Sequence, residues 1–122
     1  MISIDEFSAV LDELASELPQ EFYEGLNLGI NLSAEAKLHP KSRGDGLYIM
    51  GEYFHNAMGR GIVIYYGSFR RVHSRETRDE LLGHMRETLR HEFRHHMEGR
   101  AWEDGLKRED ARRLREYLGD SD

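Results

Sequence analysis

The sequence predicts an α+β fold, in which one small mixed sheet of about three to four strands packs against an N-terminal helix and a long second helix. Two observations support this class. Apolar residues recur at helical spacing near both ends of the chain, and short apolar runs bounded by turn residues lie between them. Helices that flank a group of strands favour packing of the helices on one small sheet.

The N-terminal segment has the pattern of an amphipathic helix. Ser3 and Glu6 match a capping box, in which each residue caps a backbone N–H near the other. The apolar positions that follow recur every three or four residues before Pro19; they are Phe7, Val10, Leu11, Leu14 and Leu18. We expect this helix to be structural.

The middle of the chain predicts strands. Apolar and polar residues alternate over residues 26–32, which fits a strand with one buried face. Residues 37–46 are rich in charge, glycine and proline and predict a loop. Two further apolar runs, 47–54 and 61–66, predict strands joined by a turn.

A long helix is predicted from Thr77, which forms a second capping box with Glu80, to the region of Gly99. A charged segment follows. A short last helix is predicted around three apolar residues, Ala111, Leu114 and Leu118.

Size and composition restrict the possible functions. With 122 residues and 39% hydrophobic content, the chain predicts one domain over residues 1–122. A net charge of −6 disfavours a nucleic-acid partner. No cysteine is present, so only His, Asp and Glu remain as metal ligands. The start of the chain lacks a signal-peptide pattern and no segment is apolar enough for a membrane span, so we expect a cytoplasmic protein without a membrane partner.

The residues with the clearest chemical meaning form an HExxH pattern, with His91 and His95 one helical turn apart. That spacing lets both imidazoles reach one zinc ion. On a helical projection the two histidines lie between the apolar and charged faces, where a cleft is expected. Glu92 lies at the border of that arc and the apolar face. Its carboxylate is the predicted general base that takes a proton from zinc-activated water.

The other histidines are less informative. His84 lies seven residues before His91, about 10.5 Å along a helix axis, which is too far to share its ion. We interpret His84 as a rim or packing residue, with a contact to substrate or ligands as the alternative. His96 projects into the apolar face and predicts a hydrogen-bonded core histidine. No role is assigned to the remaining three, His39, His55 and His73.

Residues 1–7, 18–22, 61–67 and 89–96 together resemble the minimal zincins, small bacterial proteins described as candidate zinc metallopeptidases. The resemblance implies a minimal zincin-like domain with zinc as cofactor. In that family a glycine follows HExxH, and an aspartate three residues further on supplies the third ligand. Here Gly99 arrives one residue late, and Trp102 stands where that ligand would be.

The third ligand is therefore open among five acidic residues: Glu98, Glu103, Asp104, Glu109 and Asp110. We favour Asp110, because residues 110–114 resemble the family's ligand and closing helix displaced by an insertion.

Zincin-like proteases bind extended substrate against a sheet edge. The predicted strand nearest before the metal helix is the candidate edge, and its glycine flanks permit close backbone approach; its residues are Ile62, Val63, Ile64, Tyr65 and Tyr66. An ordinary interior strand is the alternative. At most one of the two tyrosines can line the cleft, because neighbouring residues face opposite sides.

The leading hypothesis is a zinc metallopeptidase acting on a peptide or protein substrate. The main alternative is a non-catalytic zinc-binding or partner-binding module with the same fold. A weaker alternative is a helical interaction protein whose histidines bind no metal. The sequence does not indicate the oligomeric state.

Overall fold

The computed structural model describes residues 1–44, 46–103 and 116–117, except for the side chain of Glu103. It confirms the α+β class. The helices are α1 (Ile4–Ser16), α2 (Tyr66–Val72) and α3 (Arg78–Glu103), with a 3₁₀ turn at Gln20–Tyr23. The strands are β1 (Ile30–Ser33), β2 (Lys37–Leu38), β3 (Tyr48–Ile49), β4 (Gly51–Asn56) and β5 (Gly59–Tyr65).

The main sheet has the order β1-β5-β4 and is mixed. β5 runs parallel to β1, with Ile30 opposite Ile62, and antiparallel to β4, with Gly51 opposite Ile64. β2 and β3 form a separate antiparallel pair. β5 is therefore the central strand, and β4 ends the three-stranded order as an edge.

The core lies between α1, α3 and one face of the main sheet. Ile62 and Ile64 of β5 are 0% and 1% exposed and contribute the sheet side. The helices contribute a cluster of buried apolar side chains, including Phe7, Leu11, Leu14, Leu81, Met85, Leu89, Phe93 and Met97. This packing fixes which face of α3 points inward and which side chains remain outside.

Both predicted helix starts are confirmed. The Ser3 hydroxyl accepts from the Glu6 backbone N–H at 3.2 Å. At α3 the Thr77 hydroxyl accepts from the Glu80 N–H at 3.2 Å, and the Glu80 carboxylate accepts from the Thr77 N–H at 2.9 Å. The bonds at α3 are reciprocal. At both helix starts these bonds satisfy backbone N–H groups that the first helical turn leaves unpaired.

Several boundaries differ from the sequence prediction. The apolar run 61–66 ends as the start of α2, which was not predicted, and the expected loop 37–46 contains β2. α3 continues through Gly99 to Glu103. A glycine that ends a helix typically has a positive φ, and Gly99 does not have one. The short helix predicted around Ala111 lies outside the described residues, apart from 116–117. Among the helices described, none has both the length and the apolarity needed to cross a bilayer.

Candidate metal site

α3 carries the HExxH residues on a turn that has one buried face and one exposed face. His91 and His95 are exposed, whereas Glu92 between them is buried. The two Nε2 atoms face each other at 3.1 Å, and the rings are nearly perpendicular, at 89°. The helical spacing therefore brings two imidazole nitrogens together at the surface, as the sequence predicts.

The histidine pair fits a zinc ion. Zinc bonds imidazole nitrogen at about 2.0–2.1 Å in tetrahedral geometry, which separates two such ligands by roughly 3.3–3.4 Å. The observed 3.1 Å is close to that separation. Two nitrogens of one helical turn thus need only a small adjustment to bind one ion.

The other nitrogen of His91 faces an arginine. Nη2 of Arg94 lies 3.0 Å from His91 Nδ1. A guanidinium only donates hydrogen bonds, so Nδ1 accepts and a neutral His91 carries its proton on Nε2. Zinc binding at Nε2 requires that proton to leave and Nδ1 to become the protonated nitrogen. Arg94 therefore opposes the tautomer that binds metal.

Glu92 has the electrostatic environment of a general base. Its residue is 7% exposed. Burial is the main cause that raises the pKa of its carboxyl to about 7; the Tyr53 backbone N–H and Arg94 oppose the shift, and the charge of Glu52 adds to it. The N–H of Tyr53 on β4 thus anchors the carboxylate to the sheet edge. The sequence pattern predicted the residue but not its partner.

A polar cluster of residues from β2, β4 and β5 lies close to this site. The Lys37 ammonium donates to Glu52 Oε1 at 2.5 Å, and the Tyr65 hydroxyl donates to the same oxygen at 2.6 Å. These bonds lower the pKa of Glu52 and raise that of Lys37. Burial and the Glu52 carboxylate raise the pKa of the Tyr65 phenol. Tyr65 is therefore the tyrosine on the Glu52 side of the sheet.

The prediction that residues 62–66 form the substrate-binding edge is wrong. β5 pairs with β1 over residues 62–65 and with β4 over residues 59–64, so it is an interior strand of the sheet. Tyr66 belongs to α2; its hydroxyl donates to the Ile2 carbonyl and its ring packs against Phe7. Among the described strands, the edge strand nearest Glu92 is β4 instead.

The described residues bring no third ligand to the histidine pair. The described residues do include three ligand atoms within 4.8 Å of one another, but these atoms belong to His73, Glu76 and His84 and not to the HExxH pair. Glu98 lies 3.8 Å from Arg94 in an ion pair. The favoured candidate Asp110, like Asp104 and Glu109, lies outside the described residues, and so does the side chain of Glu103.

His96 is the core histidine that the projection predicts. It is 0% exposed. Its Nε2 lies 2.8 Å from the Glu24 carbonyl, which only accepts, so Nε2 donates. Nδ1 of the neutral ring then accepts from the Tyr53 hydroxyl at 3.2 Å. This ring is hydrogen-bonded at both nitrogens and holds β4 against α3.

A second group of possible metal ligands was missed by the sequence reasoning. His73, Glu76 and His84 each offer a ligand atom, and all three atoms lie within 4.8 Å. His84 alone resembled a rim residue, and His73 lies in the segment between α2 and α3. Their spacing along the chain matches no local motif. The fold of the segment between α2 and α3 brings them together.

The comparisons with known proteins identify a structural relative. No protein-family model matches the chain, and no curated protein matches it. The chain is similar to a solved structure described as a conserved hypothetical protein from Thermo thermophilus, with 32% identity and a TM-score of 0.69. The match covers 81% of this chain and 97% of that chain. At this identity and coverage, the chain belongs to the family of that conserved hypothetical protein.

Proposed function

We propose that the protein is a zinc-dependent metallopeptidase in which His91 and His95 hold the metal and Glu92 is the general base. One observation supports this most strongly. Two exposed imidazole nitrogens face each other at 3.1 Å, and the residue between them is a buried carboxyl with a raised pKa. Buried carboxyls beside potential metal ligands are typical of catalytic sites.

Bound zinc would act as a Lewis acid and lower the pKa of water toward neutrality. Glu92 then accepts the proton of the attacking water at its carboxylate. A pKa of about 7 suits this role, because a base is most effective when its pKa lies near the working pH. The Tyr53 N–H orients the Glu92 carboxylate by binding one of its lone pairs, and the remaining lone pairs can accept the proton.

The outer edge of β4 is the surface we propose for an extended peptide. Tyr53 directs its N–H away from β5 and toward Glu92, and alternation along a strand directs the backbone groups of Gly51 the same way. An added strand would pair with these groups beside the base. Gly51 lets β4 approach α3 closely, since a Cβ there would lie 3.0 Å from Thr88.

Glu92→Gln tests the mechanism. The amide keeps the size of the side chain but cannot accept the proton, so zinc should stay bound while peptide hydrolysis falls by about 10²–10⁴. Glu13→Gln is the matched control, because Glu13 is an exposed glutamate of helix α1 that belongs to neither group of histidines. Hydrolysis by purified zinc-loaded protein and zinc content are measured for all three. Equal hydrolysis by Glu92→Gln and wild type would show that another group is the base.

A non-catalytic zinc module is the second candidate. It is supported by the missing third ligand, since the described residues supply only two at HExxH. A module would keep metal and partner binding in Glu92→Gln. If the wild type with full zinc cleaves no member of a broad peptide library, the module becomes the better interpretation.

A further inference from the structure

The segment between α2 and α3 brings three potential ligands into contact. His73 Nδ1 lies 2.6 Å from Glu76 Oε2, and His84 Nε2 lies 3.3 Å from Glu76 Oε1. The two imidazoles stack with their centroids 4.2 Å apart and their planes at 22°. The Glu76 carboxylate thus places one oxygen against each ring.

The backbone around this cluster is well determined by hydrogen bonds. His73 caps the end of α2, with its N–H bonded to the Phe69 carbonyl at 2.7 Å. Glu76 closes a turn onto the His73 carbonyl at 3.3 Å, and the next residue, Thr77, caps α3. Two ligands therefore come from the connecting segment and the third from the second turn of α3. The ligands need no large backbone change to meet.

One atom of the cluster has no hydrogen bond from the described residues. Glu76 Oε1 is buried, and no donor in the described part of the chain satisfies it, although His84 Nε2 lies 3.3 Å away. An unsatisfied buried carboxylate oxygen is costly, and a cation beside it removes the cost. Glu87 adds negative charge, with an oxygen 3.9 Å from His84 Nδ1. The surroundings therefore favour a positive ion.

The donor set indicates which ion. Two imidazoles and one carboxylate suit zinc, and three protein ligands leave one position for water. The ligand atoms lie within 4.8 Å of one another, so reaching a tetrahedral separation of roughly 3.3 Å requires a closure of at most about 1.5 Å. The side chains of His73 and His84 are 13% and 43% exposed, which leaves the ion a path from solvent.

We propose that His73, Glu76 and His84 form a second zinc site, which ties the end of α2 to the second turn of α3. The site is separate from the HExxH pair because His84 and His91 lie seven residues apart on one helix, about 10.5 Å along the axis. Its role is structural: the ion fixes the connection that aligns α3. The proposal does not depend on the metallopeptidase function.

Zinc stoichiometry separates the two sites. After equilibrium dialysis against zinc, the wild type should hold two ions per chain by elemental analysis. The double variant His91→Ala, His95→Ala should hold one ion, because only the HExxH site is removed. It should still fold, because both replaced side chains are exposed. Adding His84→Ala to that background should remove the last ion. His55→Ala, an exposed histidine of β4, is the control and should leave the count unchanged.

Stability in the double variant gives a second readout. Saturating zinc should raise its Tm by roughly 5–10 °C, since a ligand that binds only the folded state stabilises it. Glu76→Gln in the same background keeps the shape of the side chain and should abolish the shift. Circular dichroism checks that each variant folds.

The outcomes distinguish the two proposals. One zinc in the wild type that disappears with His91→Ala, His95→Ala overturns the second site and leaves the proposed function standing. One zinc that disappears with His84→Ala or Glu76→Gln supports the second site and removes the metal from the proposed function. Two ions in the wild type, each lost with its own ligands, support both.

Discussion

Glu92 shows how the fold changes the chemistry of one residue. On an isolated helix its carboxylate would be solvated, but packing of α3 against β4 leaves the residue 7% exposed. Desolvation disfavours the charged form, which is why its pKa rises from 4.5 to about 7. A folded protein that holds this carboxylate charged without a metal therefore loses stability.

The first prediction concerns stability against pH in the metal-free protein. The folded pKa of Glu92 lies above the unfolded value, so the folded state binds more protons between pH 4.5 and 7. The contribution of Glu92 to the free energy of unfolding is fully present below pH 4.5 and is lost as the pH rises through about 7. The loss approaches on the order of 3 kcal/mol. Urea unfolding with a chelator present, from pH 4.5 to 8, measures it.

Glu92→Gln is the control for this effect, because other groups titrate over the same range. The amide does not ionise, so the difference in unfolding free energy between wild type and variant isolates Glu92. The unfolding free energy of the variant should increase relative to that of the wild type as the pH rises. A difference that stays constant with pH would contradict the buried-carboxyl explanation.

The second prediction concerns Arg94. Its guanidinium donates toward His91 Nδ1 and disfavours the tautomer that binds zinc at Nε2. Arg94→Gln places an amide oxygen nearby that can accept from a protonated Nδ1. Zinc affinity should rise by about tenfold, the scale of effects from groups that orient metal ligands. Competition with a zinc chelator measures the change.

Arg90→Gln removes the same charge from an exposed position of the same helix and is the matched control. It corrects for the general effect of one fewer positive charge. An equal rise in affinity in both variants would mean that charge, rather than the His91 tautomer, explains the change.

At the scale of elements, two glycines have opposite meanings. Gly67 lies in α2, where a Cβ would lie 2.5 Å from backbone atoms of Glu35 and Ala36. Gly83 lies inside α3, is exposed, and has nothing within 4 Å of such a Cβ. The first permits close packing of α2 on the chain between β1 and β2, and the second only weakens a helix.

The third prediction follows from this difference. Gly83→Ala should raise the free energy of unfolding by about 0.5–1 kcal/mol, because alanine loses less backbone entropy in a helix. Gly67→Ala should lower it by about 2 kcal/mol or more, because the contact is with backbone that must shift. Chemical denaturation of both variants tests the pair. A stabilising Gly67→Ala would show that α2 packs less closely than described.

Elements with strong local signals were predicted from sequence, and weaker ones were not. α1 and α3 combine capping boxes with sustained helical periodicity, so each is recognisable within its own residues. α2 has seven residues and begins directly where β5 ends, so its apolar residues continue the pattern of the strand. Nothing local marks the change, because the helix is held by contacts with β1, β2 and β3.

At the scale of the whole molecule, zinc coordination at HExxH needs a ligand from outside that turn of α3. The two histidines come from one helical turn, and the described residues add no third ligand. The resemblance to the minimal zincins implies a ligand from the segment beyond α3. That ligand joins residues far apart in the sequence and so belongs to no single element.

The fourth prediction tests its identity. Asp110→Asn should weaken zinc affinity at the HExxH site more than Asp104→Asn or Glu103→Gln. The first substitution removes the charge of the ligand that we propose, whereas the other two change acids that do not coordinate zinc in this proposal. The measurement is zinc competition in a His84→Ala background, which removes the second proposed site. A larger effect of Asp104→Asn would place the ligand in the residues directly after α3.

Helical spacing alone determined that His91 and His95 face each other, because residues four apart on one helix meet whatever the rest of the chain does. Caps and periodicity likewise determined α1, α3 and the α+β class. Tertiary structure decided the rest: that β5 is central and β4 is the edge, that Tyr53 anchors Glu92, and that His73, Glu76 and His84 meet. The first two depend on strand order or on helix packing between residues distant in sequence, and the third depends on how the connection between α2 and α3 folds. No local pattern encodes such contacts, because burial and charge environment arise only when the elements assemble.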